Sequence, residues 1–388
     1  MNRRRLLVGA MGVAAAGAFL LPGSQTRRRV ERIKPIIEPP PYRFPKDFLW
    51  GTATAAAQIE RRVPSDWGRF EELVERDQLT RSDGPGRVVP GNIAGYLDYP
   101  PSIRFRKTDA EAHYDEDFTA AVAQGHNAYR FSLSWSRLFP HADSKTPNPE
   151  AVTTYDGLFA SLESAGLDPM VTLFHFESPA WLWEEKEGQR GWEREDAVEH
   201  FDHFVKYVVQ RWGRKVRRWT TLNEPMVYAY NGYLQGLFPP FEKRSGPAAL
   251  GKVLENLLRA HVRAYKRIHA SAREHGLRVE VGVAAHTRSF LPYRDRAPLD
   301  RVVAEQVEQA FIWDFLDALD TGHLRLTNTE LHRIIPDLAG SQDYVGINYY
   351  GRYYLKSDLF HPTEFQLLAS DPDDPLEQVS DLGWAIDP

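Results

Sequence analysis

Strand-like and helix-like segments alternate along this chain from Phe48 onward. The strand-like segments are apolar runs at Phe48–Ala56, Ala128–Trp135, Pro169–Phe176, Val216–Pro225, Val279–His286 and Tyr344–Tyr350. Helix-like segments lie between them, at Ala110–Gln124, Glu150–Ala165, Asp196–Trp212, Ala248–Glu274 and Leu299–Leu319. This alternation predicts βαβ units and a parallel sheet. We therefore predict the α/β class and a (β/α)8 TIM barrel, with only about six βα units present in this chain.

Length and composition limit the remaining possibilities. The 388 residues suffice for one barrel of about 250 residues with insertions. The sequence has no cysteine, and its net charge of −5 comes from interspersed charges, which argues against a nucleic-acid partner. No tight cluster of metal-ligand residues and no glycine-rich phosphate loop is visible, so we predict no metal and no cofactor. We assign residues 46–388 to one domain.

The first 45 residues differ in composition from the rest. Arg3, Arg4 and Arg5 precede an uncharged apolar run at residues 6–21, a pattern that resembles a bacterial twin-arginine export signal. We predict that residues 1–24 are an export signal, which implies a periplasmic or extracellular protein. Because no clear cleavage site follows, an uncleaved membrane anchor is the alternative. Residues 25–45 are rich in Arg and Pro and predict a linker.

One strand-like run ends on a carboxylate. Trp219–Leu222 is apolar or β-branched, as a buried strand requires, and Asn223 and Glu224 follow it. Pro225 cannot donate to a sheet hydrogen bond, so the strand should stop there. In a parallel barrel, the carboxyl ends of the strands carry the chemistry, which makes Glu224 a candidate catalytic residue. A strand-end Glu that only pairs with an Arg is the structural alternative.

Polar side chains also follow the other predicted strands. They are Gln58 and Glu60, Arg130 and Ser132, His175 and Glu177, His286, and Asn348 with Tyr350. A mouth lined by amides, imidazoles, a phenol and carboxylates suits a neutral polyol better than an anion or a nucleotide. For His286 and Glu177 we favour structural roles.

These motifs resemble those of glycoside hydrolase family 1, the family of the β-glucosidases. The resemblance covers residues 44–388 in the family's order. It rests on FLWGTATAAAQIE at 48–60, AYRFSLSWSRLFP at 128–140, TLFHF at 172–176, TTLNEP at 220–225, Ala260-His261 and VGINYY at 345–350. It implies a retaining β-glycosidase that acts on a β-linked sugar or glycoside.

The resemblance also implies roles for single residues. Glu224 would be the general acid/base, supported by Asn348. Arg130 and Tyr350 would face a nucleophilic carboxylate and tune its charge. The hydroxyls of the first sugar would be held by Gln58, His175 and Asn223. A general acid must hold its proton near neutral pH, so we expect burial to raise the pKa of Glu224.

Two departures from the family pattern bear directly on function. Ala57 and Phe176 stand where the family usually has Tyr and Trp, which affects the expected preference for glucose. The family's Thr-Glu-Asn-Gly strand, which carries the nucleophile, would follow Pro388, as would the eighth strand. We therefore expect an incomplete barrel, completed by a second chain or a further segment, and no hydrolysis by this chain alone.

Two other functions fit the same residues. Some family members are anchored to membranes and transfer sugars to acceptors other than water. With residues 6–21 as the anchor, this chain would be a glycosyltransferase or transglycosylase on the same scaffold. A non-catalytic sugar-binding protein is the other alternative, favoured by the missing nucleophile.

Overall fold

The computed structural model describes residues 43–60, 63–75, 108, 110–239, 246–358, 365–374, 376–380 and 383–387. The predicted export or anchor segment 1–24, including its apolar run 6–21, lies outside the described residues, as does the linker up to residue 42. Within the described ranges, no helix is both long enough and apolar enough to cross a lipid bilayer.

A curled parallel sheet forms the centre of the described structure. Its strands are β1 (Gly51–Ala53), β2 (Ala128–Ser132), β3 (Asp168–Phe174), β4 (Arg218–Asn223), β5 (Glu280–Pro292) and β8 (Tyr344–Ser357). They pair in the order β1-β2-β3-β4-β5-β8, and every pair is parallel. A hairpin of β6 (His323–Arg325) and β7 (His332–Ile334) lies outside this sheet, and β9 (Phe365–Leu368) adds to β8 in antiparallel direction. The predicted α/β barrel class is confirmed.

Helices connect these strands. They are α1 (Ala56–Ile59), α2 (Asp66–Glu75), α3 (Tyr114–Ala123), α4 (Trp135–Leu138), α5 (Pro149–Ala165), α6 (Ala197–Trp212), α7 (Pro225–Ala229), α8 (Pro247–Glu274), α9 (Pro298–Glu308) and α10 (Asp314–Thr321). Helix α5 shows how the sequence sets such limits. The Asn148 side chain accepts a hydrogen bond from the Glu150 amide at 3.0 Å, and Pro149 occupies the first turn. Gly166, at φ 71°, ends the helix in the left-handed region that glycine adopts readily.

Three predicted segments have different limits in the structure. The strand predicted at Phe48–Ala56 is only β1, because the chain turns into α1 at Ala56, whose amide donates to Ser132 Oγ at 2.7 Å. The helix predicted at Ala110–Gln124 begins as a short 3-10 turn before α3. The helix predicted at Leu299–Leu319 is divided into α9 and α10 by a π-helical turn at Gln309–Trp313.

The last two parallel strands run well beyond their predicted ends. Strand β5 continues six residues past His286 to Pro292, and β8 continues seven past Tyr350 to Ser357. Their pairing persists to the ends, with an irregularity between Thr287 and Ser289. Leu355 of this extension packs in a second small core with Phe290 of β5. Hydrophobic packing outside the barrel therefore stabilises the longer strands.

The main core lies between the sheet and the helices around it. Trp135, Trp192, Trp212 and Trp219 are all fully buried, as packing roles require. The ring of Trp135 lies 5.9 Å from Trp181 and 5.4 Å from Phe201, measured between centroids. Gly282 in β5 is needed for close approach, because a Cβ there would lie 2.2 Å from the carbonyl oxygen of Tyr344.

Candidate active site

Glu224 lies directly after β4, at the carboxyl end of the sheet. The register between β4 and β5 shifts between Thr220 and Asn223, a bulge-like irregularity next to the site. Glu224 itself has φ 46°, in the left-handed region, and its amide donates to the Ala284 carbonyl at 2.7 Å. Pro225 begins α7 immediately afterwards. The strand therefore stops where the proline predicts, and the turn holds Glu224 in a conformation that is unfavourable for a residue with a side chain.

Three donors or donor-capable groups surround the Glu224 carboxylate. Oε1 accepts hydrogen bonds from Asn348 Nδ2 at 2.6 Å and from the Tyr350 hydroxyl at 2.7 Å. Oε2 lies 3.2 Å from His286 Nδ1. The side chain is only 5% exposed. Two strands thus converge on one carboxylate, with His286 from β5 and both Asn348 and Tyr350 from β8.

The expected increase in the pKa of Glu224 is not what the structure shows. Burial raises this pKa, but the hydrogen bonds from His286, Asn348 and Tyr350 together outweigh burial, so the pKa lies below its ordinary value. The hydrogen bonds favour the charged form because they are made to the ionised oxygens. In this arrangement Glu224 is ionised at neutral pH.

Arg130 is hydrogen-bonded to Asn223, the residue that precedes Glu224. Arg130, on β2, donates through Nη2 to Asn223 Oδ1 at 2.6 Å and through Nε to Thr172 Oγ1 at 2.9 Å. Asn348 Nδ2 also lies 3.1 Å from Asn223 Oδ1. The side-chain oxygen of Asn223 therefore already accepts two hydrogen bonds. The NH2 group of Asn223 is the part of the side chain that can bind a ligand hydroxyl.

His175 lies just beyond β3 and stays uncharged. Burial, followed by the nearby Arg130 charge, lowers the pKa of His175 to about 3, against a smaller opposing effect of Glu224. Its Nδ1 is buried without a hydrogen-bond partner. Phe176 next to it has φ 68°. A neutral imidazole with an unsatisfied nitrogen is suited to bind a hydroxyl group.

Hydrogen bonds connect some of the predicted site residues directly, but not all of them. Direct hydrogen bonds connect Arg130 with Asn223, Asn223 with Asn348, and Glu224 with Asn348 and Tyr350. Gln58 is exposed on α1, and within the described ranges no side-chain hydrogen bond connects it to this group. Tyr350, expected to face a second carboxylate, donates to Glu224 instead.

Two carboxylates that follow predicted strands have structural partners. Glu177 accepts hydrogen bonds from the hydroxyls of Ser134, at 2.7 Å, and Ser136, in agreement with the structural role favoured for it. Glu60 accepts from Tyr155 at 2.9 Å and from Arg137 at 2.9 Å. Among the described residues, no group of three or more Asp, Glu, His or Cys side chains could hold a metal ion.

The structure adds two residues that sequence reasoning missed. His286 was favoured as structural, yet its ring nitrogen faces Glu224 and its ring stacks on Tyr350, with centroids 4.8 Å apart. Arg288 is 4% exposed, and its guanidinium lies 3.7 Å from the Tyr353 ring centroid and 4.9 Å from that of Trp384. The alternation of β5 places both side chains near the mouth, but the strand was predicted to end at His286.

The site combines one ionised carboxylate with neutral donors and two nearby cations. Arg130 and Arg288 both act electrostatically on Glu224, but Asn223, His175, Asn348 and Tyr350 carry no charge near neutral pH. Many fixed donors and few charges suit a ligand that is rich in hydroxyl groups. The arrangement can also place a proton donor or acceptor against such a ligand, at Glu224.

Comparison with known sequences identifies relatives over most of the chain. The profile described as glycosyl hydrolase family 1 matches residues 41–388. Beta-glucosidase 14 of Arabidopsis thaliana is 31% identical over 85% of this chain and 68% of its own length. Beta-glucosidase 25 of Oryza sativa subsp. japonica is 31% identical over 81% of this chain and 62% of its own length.

Solved structures resemble the chain to a similar extent. A beta-glycosidase from Pyrococcus horikoshii superimposes with a TM-score of 0.69 at 31% identity, covering 88% of this chain and 70% of that protein. A family 1 β-glucosidase from Thermotoga maritima superimposes with a TM-score of 0.70 at 25% identity, covering 88% and 72%. The described chain thus corresponds to about two thirds to three quarters of these proteins.

Proposed function

Because the chain belongs to glycosyl hydrolase family 1, we propose that it is the acid/base-carrying part of a retaining β-glycosidase acting on β-glucoside-like substrates. The observation that carries the proposal is the placement of Glu224 at the carboxyl end of β4, held by Asn348 and Tyr350. A glycosidic oxygen leaves only when a positioned acid protonates it, and the same group then acts as base.

The neighbouring residues take roles that fit their contacts. Asn348 orients the carboxylate through the hydrogen bond to Oε1. Arg130 holds Asn223, whose NH2 group binds a sugar hydroxyl. His175, neutral and with an unsatisfied nitrogen, binds a second hydroxyl. For Gln58, exposed on α1, the proposed sugar contact rests on the family resemblance alone. Names of relatives support the substrate class, since both plant relatives are called β-glucosidases.

A retaining mechanism also needs a second carboxylate about 5–5.5 Å from the first. In the described structure, the carboxylate of Glu224 is hydrogen-bonded by Asn348 and Tyr350 on Oε1 and faces His286 on Oε2. We propose that the nucleophile lies on a segment or second chain that pairs with the first part of β8, which in the described ranges has no strand on the side away from β5. Val345 and Ile347 of that strand are 41% and 70% exposed, and all three residues of β1 at the opposite edge are exposed. Exposed apolar side chains on edge strands favour further pairing.

The experiment measures turnover of a nitrophenyl β-glucoside with and without a segment that supplies the family's Thr-Glu-Asn-Gly strand. We expect no measurable hydrolysis by residues 1–388 alone and hydrolysis after the segment is added. In the complemented protein, Glu224→Gln should lower kcat about 100- to 10,000-fold, the usual contribution of a general acid/base. The matched control is Glu163→Gln, an exposed carboxylate whose partner is Lys215.

Two results would contradict the proposal separately. Turnover by the chain alone that disappears in Glu224→Gln would show that no further carboxylate is needed. Full turnover by Glu224→Gln in the complemented protein would remove Glu224 from the acid/base role.

A second function has one observation in its favour. The pKa of Glu224 is lowered, so its carboxylate is ready to accept hydrogen bonds from a sugar rather than to give up a proton. This would suit a non-catalytic sugar-binding protein. Calorimetric titration with glucose and cellobiose separates the two, because binding without turnover in the complemented protein supports the second function.

Export or membrane anchoring through residues 6–21 stays a prediction from the sequence. Cell fractionation of the intact chain tests it. A twin-lysine replacement of Arg3 and Arg4 should leave the protein in the cytosol if the segment is a twin-arginine signal.

A further inference from the structure

The ring of His286 is held firmly beside Glu224. It stacks on Tyr350 with the planes 18° apart, and Phe311 meets it edge-on at a centroid distance of 5.5 Å. The side chain is 13% exposed, and Nδ1 lies 3.2 Å from Glu224 Oε2. Two aromatic contacts therefore hold the plane of the ring beside the carboxylate.

The two oxygens of Glu224 have different surroundings. Oε1 already accepts two hydrogen bonds, one from Asn348 and one from Tyr350. A carboxylic proton on Oε1 would have to displace one of these donors. Oε2 faces only the imidazole among the hydrogen bonds of the described residues. The oxygen that can carry the proton without loss of a hydrogen bond is therefore Oε2.

We propose that His286 is a positioning residue that shares the proton of Glu224 across the contact between Nδ1 and Oε2. The inference rests on the acid/base role proposed above for Glu224. When Nδ1 is unprotonated, the Oε2 hydroxyl donates to it, and when Nδ1 carries the proton, it donates to the ionised Oε2. Only O–H and N–H bonds exchange, so the pair holds one proton in both forms.

The other charged and titratable groups around Glu224 cannot replace this function. Arg130 and Arg288 act on Glu224 as permanent cations. The pKa of His175 lies at about 3, so this ring stays neutral, and burial together with Glu224 itself raises the pKa of Tyr350. Among the described residues, His286 is the group of this set whose ring nitrogen lies within hydrogen-bond reach of Oε2, at 3.2 Å.

The test is the titration of Glu224 followed by carbon-13 NMR on protein labelled at the glutamate carboxyl carbon, with Glu224→Gln assigning the signal. His286→Asn keeps a hydrogen-bonding atom near the position of Nδ1 but cannot share a proton. We expect the titration midpoint of Glu224 to rise by about one pH unit or more in this variant. The control is His141→Asn, an exposed histidine outside the site, which should leave the midpoint unchanged.

The wild-type protein supplies a second measurement, which needs no variant to fold. Nitrogen-15 NMR of the His286 ring should show Nδ1 changing state together with the Glu224 signal, as expected for a coupled pair. Independent titration of the two groups, or an unchanged Glu224 midpoint in folded His286→Asn, overturns the inference. In the complemented protein, the alkaline limb of the pH profile of kcat/KM should move with the same midpoint, because a general acid must hold its proton. Absence of any turnover there counts against the proposed function alone, because the NMR titrations do not depend on it.

Discussion

Glu60 allows the effect of burial on this protein's stability to be tested quantitatively. The residue follows α1 and is 3% exposed, with Tyr155 and Arg137 hydrogen-bonded to its two oxygens. Burial raises the pKa of Glu60 from 4.5 to about 7, because desolvation exceeds the opposing effect of Arg137 and is reinforced by the charge of Glu177. The folded protein therefore retains a proton that the unfolded chain releases at lower pH.

The difference in the pKa of Glu60 between the folded and unfolded states makes the protein less stable as pH rises. A pKa that is higher in the folded state contributes stability fully below the unfolded pKa of about 4.5, and this contribution is lost as pH rises through about 7. At about 1.36 kcal/mol for each pKa unit, the whole contribution is about 3 kcal/mol. Most of it disappears between about pH 5 and pH 8.5.

The perturbation is Glu60→Gln, since glutamine has the shape of the protonated acid and cannot ionise. Arg137 keeps Glu111 as an ion-pair partner in the variant. We expect the variant to match the wild type within about 1 kcal/mol at pH 5. At pH 8.5 it should be more stable than the wild type by about 2–3 kcal/mol.

The assay is urea unfolding followed by tryptophan fluorescence at several pH values between 5 and 8.5. Glu163→Gln is the control, since Glu163 is exposed and Lys215 lowers its pKa, so it does not titrate in this range. A constant difference in unfolding free energy between Glu60→Gln and the wild type at every pH would refute the reasoning.

Three further predictions concern the core, a turn and the site. Leu222→Ala removes a fully buried side chain from β4 and should lower the unfolding free energy by about 2–5 kcal/mol, measured by urea unfolding. Glu187→Asn should raise it by about 0.5–1 kcal/mol, because Glu187 and Gly188 have φ values of 54° and 76° in a tight turn that favours Asn-Gly. Tyr350→Phe removes a hydrogen bond to Glu224 Oε1 and should raise the titration midpoint of Glu224 by about one pH unit, measured by carboxyl carbon NMR.

Much of the fold follows from local sequence patterns. The alternation of apolar strands with amphipathic helices predicts the parallel sheet, and the position of each predicted strand is confirmed. Asn148-Pro149 and Gly166 set the limits of α5 through local hydrogen bonding and backbone preference. Parallel strands place their carboxyl ends at one edge, so the residues after β4 and within β8 come together without further information.

Other features depend on contacts between distant segments. The strand predicted through Ala56 becomes helix α1 there, where Ser132 from β2 accepts the Ala56 amide. The long extensions of β5 and β8 depend on packing against residues such as Leu355. The sequence pattern of β5 or β8 taken alone does not show that the other strand will pair with it beyond the barrel.

The sequence by itself determined the class of fold, the family and the presence of Glu224 at a strand end, because these depend on the order of short motifs along the chain. Only the tertiary structure decided how Glu224 is charged. Its pKa depends on which donors reach which oxygen, and the Asn348 and Tyr350 donors lie more than 120 residues away along the chain. Burial and hydrogen bonding oppose each other at this carboxylate, and their balance is set by the register of β4, β5 and β8.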